Sequence, residues 1–175
     1  MNLKQATSRE LAAIETFYEK TIPLIDPDTT SWILGVYPSI DSVLSAINKK
    51  EFYLFVDDSM TILATVILNH QAHENYQKLT WLTQNTTAHD HLIVHTLIVD
   101  QTRKNQGIGT KLMKAIKTYA QDLGVVSIRL DTAKTNLPAQ HLYEKQGFTY
   151  IGQVDLPKFD QTGVDECVCY EYLLS

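Results

Sequence analysis

The chain has 175 residues, and its 44% hydrophobic and 20% charged content is typical of a single globular domain, which we expect to span residues 1–175. The formal net charge of −5, with no basic cluster, argues against a nucleic-acid partner and mildly favours a cationic one. No apolar run reaches the ~18 residues of a membrane span and no apolar leader is present, so we expect a cytoplasmic protein without a membrane partner.

Hydrophobic periodicity and turn residues predict seven strands and four helices. In chain order, these are a strand at 3–6, a helix at 7–20, a helix that opens at Pro38 and Ser39, strands at 52–56, 61–68 and 92–99, a helix at 108–123, a strand at 125–130, a helix at 138–146, and strands at 148–154 and 167–173. The polar segment 74–89 gives a weaker pattern. Helical spacing places Leu44 on the inward face of the second helix and Leu123 on that of the third.

This order predicts an α/β (α+β) fold built on one mixed sheet. The strands at 52–56 and 61–68 are joined by a short polar turn, which is typical of an antiparallel hairpin. The strand–helix–strand run from 92 to 130 is instead a crossover between neighbouring parallel strands. Because the strand at 92–99 is apolar and rich in β-branched residues, we expect it to be buried at the centre of the sheet.

The two cysteines, Cys167 and Cys169, lie two residues apart on a predicted strand. Their side chains would share one face without the turn that a disulfide bond needs, so we interpret them as reduced core thiols. Histidine pairs in the segments 70–73 and 89–91 come without the further ligands of a zinc site, and we expect no metal.

A glycine-containing turn, Gly107-Ile108-Gly109, lies where the central strand gives way to a long helix. The first turn of a helix carries unpaired N–H groups and a partial positive charge, and glycine lets the backbone approach a ligand closely. These features predict a pyrophosphate site, although an ordinary tight turn would fit the same residues. The turn is not a dinucleotide fingerprint, because Leu112 replaces the third glycine, and Gly109 lacks the Lys-Ser/Thr of a Walker loop.

Two motifs in this chain resemble those of the GNAT N-acetyltransferases, particularly the small single-domain bacterial members. Residues 103–109, Arg-Lys-Asn-Gln-Gly-Ile-Gly, are similar to the family's acetyl-CoA motif, Arg/Gln-x-x-Gly-x-Gly/Ala. Residues 136–148 are similar to a second motif, in which Asn, Ala, Leu-Tyr and Gly-Phe follow in that order. One position departs from the pattern. Lys104 stands where the family has Arg or Gln. A lysine ammonium offers phosphate a single point charge, whereas an arginine guanidinium can donate two parallel hydrogen bonds.

The resemblance implies a GNAT-like, mostly antiparallel sheet of about seven strands with flanking helices, in which the two central strands start paired and then splay apart. Acetyl-CoA would be the co-substrate, with its pantetheine arm on the backbone of the first central strand and its pyrophosphate on amides of residues 105–110. The residues so assigned to acetyl-CoA are Leu97, Ile98, Val99, Arg103, Lys104, Asn105, Gln106, Gly107, Ile108, Gly109, Thr110, Asn136 and Tyr143. Asn136 is also suited to cap the helix that follows it.

Amide formation from a thioester needs a neutral amine, a stabilised oxyanion and a proton for the departing thiolate. The resemblance implies direct attack with both substrates bound, so that positioning does much of the work. Tyr143 matches the family tyrosine that protonates the sulfur, although a tyrosine packed between helix and sheet would also fit. His95 is the candidate general base, with a satisfied core histidine as the alternative and Glu171 or Tyr170 as weaker candidates.

Strand alternation places His95 on the same face as Leu97 and Val99, one strand repeat from the reacting carbonyl. A backbone N–H near Leu97, where the strand loses its partner, is the candidate oxyanion donor. Aromatic side chains would give an acceptor pocket its shape and a cation–π contact to an amine, and packing at the edge of the core fits them equally. The candidates for this pocket wall are Trp32, Tyr37 and Trp81.

We therefore expect an acetyl-CoA-dependent N-acetyltransferase that acts on the primary amine of a small molecule or peptide. Two alternatives stay open: a non-catalytic acyl-CoA-binding regulatory module of the same fold, and an enzyme that uses a longer acyl-CoA. An intact Tyr143 argues against the regulatory module, because a sensor needs no acid for a leaving group. The sequence identifies neither the acceptor nor the oligomeric state, and a homodimer is compatible with it.

Overall fold

A computed structural model, which describes all 175 residues, contains one seven-stranded sheet with the strand order β1-β2-β3-β4-β5-β7-β6. Its strands are β1 (Asn2–Gln5), β2 (Phe52–Val56), β3 (Ile62–Asn69), β4 (His91–Val99), β5 (Ser127–Ala133), β6 (Thr149–Pro157) and β7 (Val164–Leu173), and its helices are α1 (Leu11–Thr21), α2 (Ile40–Asn48), α3 (Ile108–Leu123) and α4 (Leu137–Lys145). Only β4 and β5 pair in parallel. The predicted element order and mixed sheet are confirmed. None of the helices combines the length and the apolar character that crossing a bilayer requires.

The apolar stripes of the helices are narrower than the sequence suggested. Leu44 and Leu123 are 36% and 45% exposed, so the prediction that both face inward was wrong. The buried stripe of α2 instead consists of Val43, Ala46 and Ile47, and Leu44 lies at its edge. In α3 the buried stripe ends at Ala120, one turn before the helix stops. Both leucines therefore lie just past the line along which each helix touches the sheet.

The two faces of the sheet bury separate cores. One face packs against α3 and α4, where Leu112 and Ile116 meet strand residues such as Leu92 and Ile128. The opposite face packs against α1 and α2 and, near β7, against residues of the segment 70–90, which connects β3 to β4. A ligand that reaches both faces must therefore pass through the sheet itself.

The parallel pair β4–β5 separates half-way along its length. Its register runs from His91 opposite Ser127 to Val94 opposite Leu130 and ends there. Beyond that point β4 stays hydrogen-bonded to β3, and β5 stays hydrogen-bonded to β7. The predicted splay is confirmed, and it opens a gap in the middle of the sheet.

A bulge in β4 lies at the start of this gap. His95 pairs with Ile67 and Ile98 with Thr65, so three steps along β4 match two along β3. Thr96 is the extra residue of the bulge. Its φ of +48° is a backbone conformation that β-branched residues seldom adopt. The bulge reverses the alternation of side chains.

The consequence is a correction to the predicted faces of β4. Val94 and, past the bulge, Leu97 and Val99 all pack on the α3 side, whereas Ile98 packs on the α1 side. Simple alternation from Val94 would have put Leu97 and Val99 on the α1 side with His95. His95 therefore does not share a face with them.

A buried network of polar side chains anchors the 70–90 segment to the sheet. The carboxylate of Glu171, which is fully buried, accepts hydrogen bonds from the Leu82 amide at 2.6 Å and from the Thr83 hydroxyl at 2.7 Å. It also accepts from Ser127 Oγ at 2.7 Å and from Arg129 Nε at 2.9 Å. Burial alone would raise the pKa of Glu171, but these hydrogen bonds outweigh it and hold the pKa below its usual value.

We expect Glu171→Gln to lower the free energy of unfolding at neutral pH by about 3 kcal/mol, because it leaves the Arg129 guanidinium buried without its counter-charge. Since the folded pKa of Glu171 is lowered, its contribution is present above the unfolded pKa of about 4.3 and is lost as pH falls through the folded value. The difference in unfolding free energy between variant and wild type should therefore become smaller at acidic pH. Urea denaturation at several pH values measures it.

Glu166→Gln is the matched control for this prediction. Glu166 pairs with Lys134 at 3.3 Å, but the two side chains are 59% and 50% exposed. Such an exposed pair contributes at most about 1 kcal/mol to the free energy of unfolding. Equal losses in the two variants would contradict the role given to the buried network.

Candidate active site

A cavity of about 1390 Å³ runs through the gap between β4 and β5. Its lining includes side chains from both faces of the sheet, such as Leu142 of α4 on one side and Trp32 on the other. A volume above the usual range of about 300–1,000 Å³ for single-ligand pockets leaves room for two substrates at once. The sequence-predicted residues that line it are Trp32, Tyr37, His95, Leu97, Ile98, Val99, Lys104, Asn105, Asn136 and Tyr143.

The loop at one end of the cavity presents a run of unpaired backbone amides. From Lys104 to Thr110, no backbone N–H donates to another group of the chain. Gly107 caps α3 in the left-handed region at φ +71°, and Asn105 has φ +64°, so the chain curls before the helix begins. Gln106 and Gly107 are exposed, and a Cβ on Gly107 would have no protein atom within 4 Å. Open amides at a helix N-terminus form a cradle for an anion.

Asp100 fixes the start of this loop. Its buried carboxylate accepts hydrogen bonds from Lys20 Nζ at 2.8 Å and from the amide and hydroxyl of Thr102 at 3.0 and 2.6 Å. Burial would raise the pKa of Asp100, but these donors outweigh it and lower the pKa. Arg103 Nε lies 3.6 Å from the same carboxylate, and Arg103 Nη1 lies 4.0 Å from Asp57. Arg103 thus faces carboxylates of its own chain and lies outside the cavity lining.

Helix α4 packs closely against the first turn of α3. A Cβ on Gly109 would lie 3.0 Å from Leu142 Cδ2, so glycine allows the two helices to approach. Ile108 is buried in the core, and Thr110 follows in the same turn. Asn136 Oδ1 accepts from the Ala139 amide at 3.2 Å and caps α4, while its Nδ2 makes no hydrogen bond and remains available.

Tyr143 of α4 combines a buried ring with a free hydroxyl. Its ring packs against Phe148 and Tyr170, and the residue is 6% exposed. The hydroxyl makes no hydrogen bond within the chain. Its oxygen is not sealed from solvent, and it opens onto the cavity. Burial, with Asp131 and Tyr170 nearby, raises the pKa of Tyr143 above its usual value near 10. The phenol therefore keeps its proton and can act as an acid.

His95 has the protonation state of a base. Its Nε2 lies 3.1 Å from the carbonyl oxygen of Gln71, which can only accept, so Nε2 carries the proton. The same nitrogen lies 3.0 Å from Asn69 Oδ1, and Asn69 Nδ2 in turn donates to Glu51 at 3.1 Å. Burial lowers the pKa of His95, and the charge of Asp131 partly offsets this. The neutral ring leaves Nδ1 without a hydrogen and without a partner in the chain.

Sequence reasoning missed Asp131, which lies directly after the last β4–β5 pair. Its carboxylate lines the cavity and accepts a hydrogen bond from the Tyr76 hydroxyl at 2.5 Å. Burial raises the pKa of Asp131, and the hydrogen bond from Tyr76 acts against the rise. A carboxylate next to the apolar Leu130 on a strand that leads into the second motif is the signal that could have identified it. Tyr76, 55 residues earlier in the chain, gives no such signal.

Three aromatic side chains form a wall at the other end of the cavity. Tyr37 and Phe159 stack with ring centroids 3.8 Å apart, and Trp32 meets Tyr37 edge-on at 6.4 Å. The Tyr37 hydroxyl is hydrogen-bonded to Thr96, which connects this wall to the bulge beside His95. The sequence suggested Trp32 and Tyr37 but not Phe159, which comes from the loop between β6 and β7.

Trp81 does not belong to the cavity. Its ring packs under the Arg129 guanidinium at 4.3 Å, and its Nε1 donates to the Tyr76 carbonyl at 2.9 Å. These contacts make Trp81 part of the anchor of the 70–90 segment and replace the pocket role that the sequence suggested. The weaker base candidates also lie elsewhere: Glu171 is held by Arg129, and the Tyr170 hydroxyl contacts Glu144 at 3.2 Å.

A family model described as "Acetyltransferase (GNAT) family" matches residues 12–148. The streptothricin acetyltransferase of Escherichia coli is 35% identical over 72 residues, which are 41% of this chain and 41% of that protein. Human N-acetyltransferase 8 is 37% identical over 57 residues, which are 33% of this chain and 25% of that protein. The chain therefore spans less than half the length of these relatives.

Solved structures resemble the whole chain. A GNAT-family acetyltransferase of Streptococcus agalactiae superimposes with a TM-score of 0.81 at 19% identity, over 99% of this chain and 95% of that one. The structure of yncA from Salmonella typhimurium with its cofactor acetyl-CoA has a TM-score of 0.69 at 13% identity, over 100% of this chain and 94% of that one. At these identities the likeness establishes the fold.

We expect nitrogen NMR of the histidine ring to find His95 as the neutral Nε2–H tautomer at neutral pH, with a pKa below its usual value of about 6.5. Asp131→Asn should lower this pKa further, because it removes a negative charge that favours the imidazolium. Asp165→Asn, which removes a different cavity carboxylate, should leave it unchanged. A proton on Nδ1, or a protonated ring at neutral pH, would contradict the arrangement.

Proposed function

The chain belongs to the GNAT acetyltransferase family, and on that premise we propose that it is an N-acetyltransferase that moves the acetyl group of acetyl-CoA to a primary amine. The observation that carries this proposal is the cavity through the split sheet, with open amides at one end and an aromatic wall at the other. Both substrates can occupy such a passage together, which supports direct attack in a ternary complex.

The donor half of the site has the groups that acetyl-CoA needs. The open amides of residues 104–110 would hold its diphosphate, assisted by the positive charge of Lys104. The edge of β4 that faces the gap has no strand partner beyond Val94, so its peptide groups can pair with the amides of the pantetheine arm. Nδ2 of Asn136 offers a further donor. A backbone N–H near Leu97 would stabilise the oxyanion of the tetrahedral intermediate.

The reaction requires that one proton leave the nitrogen before attack and that the sulfur gain one afterwards. His95 Nδ1 would accept a proton from the ammonium, directly or through a water molecule. The amine lone pair then forms the C–N bond at the thioester carbonyl, the second proton passes from the nitrogen to water, and the C–S bond breaks. His95 returns its proton to solvent. The Tyr143 hydroxyl would protonate the departing thiolate and regain its proton from solvent.

Incubation with acetyl-CoA and a panel of primary amines tests the proposal by release of the free thiol of CoA. We expect thiol release that depends on the amine, and Tyr143→Phe should slow it by roughly 10²-fold, the scale of a lost general acid. Acetyl-CoA affinity and the free energy of unfolding should change little, because the Tyr143 hydroxyl has no partner in the chain.

Tyr150→Phe is the control for this variant, because Tyr150 is 52% exposed and does not line the cavity. Binding of acetyl-CoA without turnover of any amine would identify the chain as a regulatory module instead. Normal turnover by Tyr143→Phe would remove Tyr143 from the mechanism while leaving the activity itself intact.

The role of the amide cradle is tested by a matched pair of glycines. Gly107 and Gly124 cap opposite ends of α3 at φ +71° and +72°, and a Cβ added to either would meet no protein atom within 4 Å. Alanine at either position should cost about 1–2 kcal/mol of unfolding free energy through the same backbone strain. Only Gly107→Ala should weaken acetyl-CoA binding, by on the order of tenfold in calorimetry. Equal weakening by Gly124→Ala would count against the cradle.

A further inference from the structure

Asp131 is a partly buried carboxylate with no cation beside it. Its hydrogen-bond donor is the Tyr76 hydroxyl, and no lysine or arginine lies within ion-pair distance. The cationic side chain two residues earlier on the same strand, Arg129, is held by Glu171 at 2.9 Å. The groups that influence Asp131 from other elements are His95, His73, Tyr76 and Cys167, and none of them is a permanent cation.

A carboxylate in such surroundings needs a positive charge or a proton. Removing an unpaired charge from water costs several kcal/mol, which is why buried carboxylates are normally paired. Asp131 opens onto the cavity, so the missing cation can arrive from solvent. Burial raises the pKa of Asp131, as expected for a carboxyl group that lacks a cation, and an ammonium ion beside it would lower that pKa.

Asp131 lies in the part of the cavity that suits the amine substrate rather than acetyl-CoA. It follows Leu130, the last β5 residue that pairs with β4, and thus lies where the gap begins. Its contacts are with Tyr76 and Cys167, on the sheet face opposite α3 and α4. The aromatic wall of Trp32, Tyr37 and Phe159 lines the same cavity, and Trp32 packs on the core of α1 and α2, also opposite α3.

We propose that Asp131 docks the acceptor amine as its ammonium ion, with Tyr76 positioning the carboxylate and the aromatic wall receiving an apolar or aromatic body. This inference rests on the proposed N-acetyltransferase function and names its substrate class as protonated primary alkylamines. The ammonium docked on Asp131 would then lie beside His95, the group that takes its proton. Tyr76 is a positioning residue, since it acts through the carboxylate.

Two probes of the same shape and different charge test the proposal: 2-phenylethylamine, a cation at neutral pH, and O-benzylhydroxylamine, which is neutral. Calorimetry with the CoA-saturated protein should show that the wild type binds the cation preferentially. Asp131→Asn should weaken binding of 2-phenylethylamine by roughly tenfold to a hundredfold, as expected for a lost charged hydrogen bond, and leave O-benzylhydroxylamine binding nearly unchanged. Tyr76→Phe should give a smaller loss that is again confined to the cation.

Equal binding of the two probes by the wild type, no binding of either, or an unchanged preference in Asp131→Asn would overturn the inference. Parallel loss of both probes would also overturn it, because a structural defect does not distinguish charge. Acetyl-CoA binding by each variant serves as the test of folding. Acetyl-CoA-dependent thiol release by the wild type is measured separately, so that failure of the proposed function is recognised by its absence and failure of the Asp131 role is not confused with it.

Discussion

The separation of β4 from β5 after Val94 and Leu130 is the constraint on which the rest of the site depends. Backbone groups at the centre of a sheet normally pair with a neighbouring strand, and unpaired ones are costly when buried. Here each strand keeps its outer partner, so the sheet remains whole at its edges while its middle opens. The opening exposes a strand edge to a ligand without lengthening any loop. The bulge at Thr96 lies beside the start of the gap and reverses which face of the sheet the following β4 side chains occupy.

The gap also separates two chemical environments. Tyr143 lies with the core of α3 and α4, and burial there keeps its phenol protonated. His95 is hydrogen-bonded to Asn69 and Gln71, at the junction of β3 and the 70–90 segment. Burial there lowers its pKa and keeps its imidazole neutral. Environments that drive titratable groups toward opposite proton-transfer roles are the mark of an acid and base set. In the proposed mechanism the sheet would therefore keep the proton donor Tyr143 and the proton acceptor His95 apart until a substrate lies between them.

The order of elements, the helix at Gly107 and the cap at Asn136 could be predicted from the sequence, because periodicity and turn residues are local signals. The faces of β4 could not, because Thr96 adopts a left-handed conformation that its residue type disfavours. The prediction for Trp81 was wrong because an aromatic residue in a polar segment suggests a pocket wall, whereas its ring packs against the Arg129 guanidinium, a contact that the sequence does not indicate. Asp131 and Tyr76 meet only through the fold, and single-sequence patterns carry no record of contacts at such separation.

The anchoring of the 70–90 segment by Glu171 has a consequence for local stability. Apart from two short 3₁₀ turns this segment has no regular structure, yet it supplies Tyr76 and the Gln71 carbonyl to the cavity. Regions with little secondary structure can open at a free energy well below that of global unfolding. Loosening of the Glu171 hydrogen bonds would therefore favour joint release of the partners of Asp131 and His95, while the sheet and the amide cradle stayed folded. Heat inactivation would then precede loss of the fold.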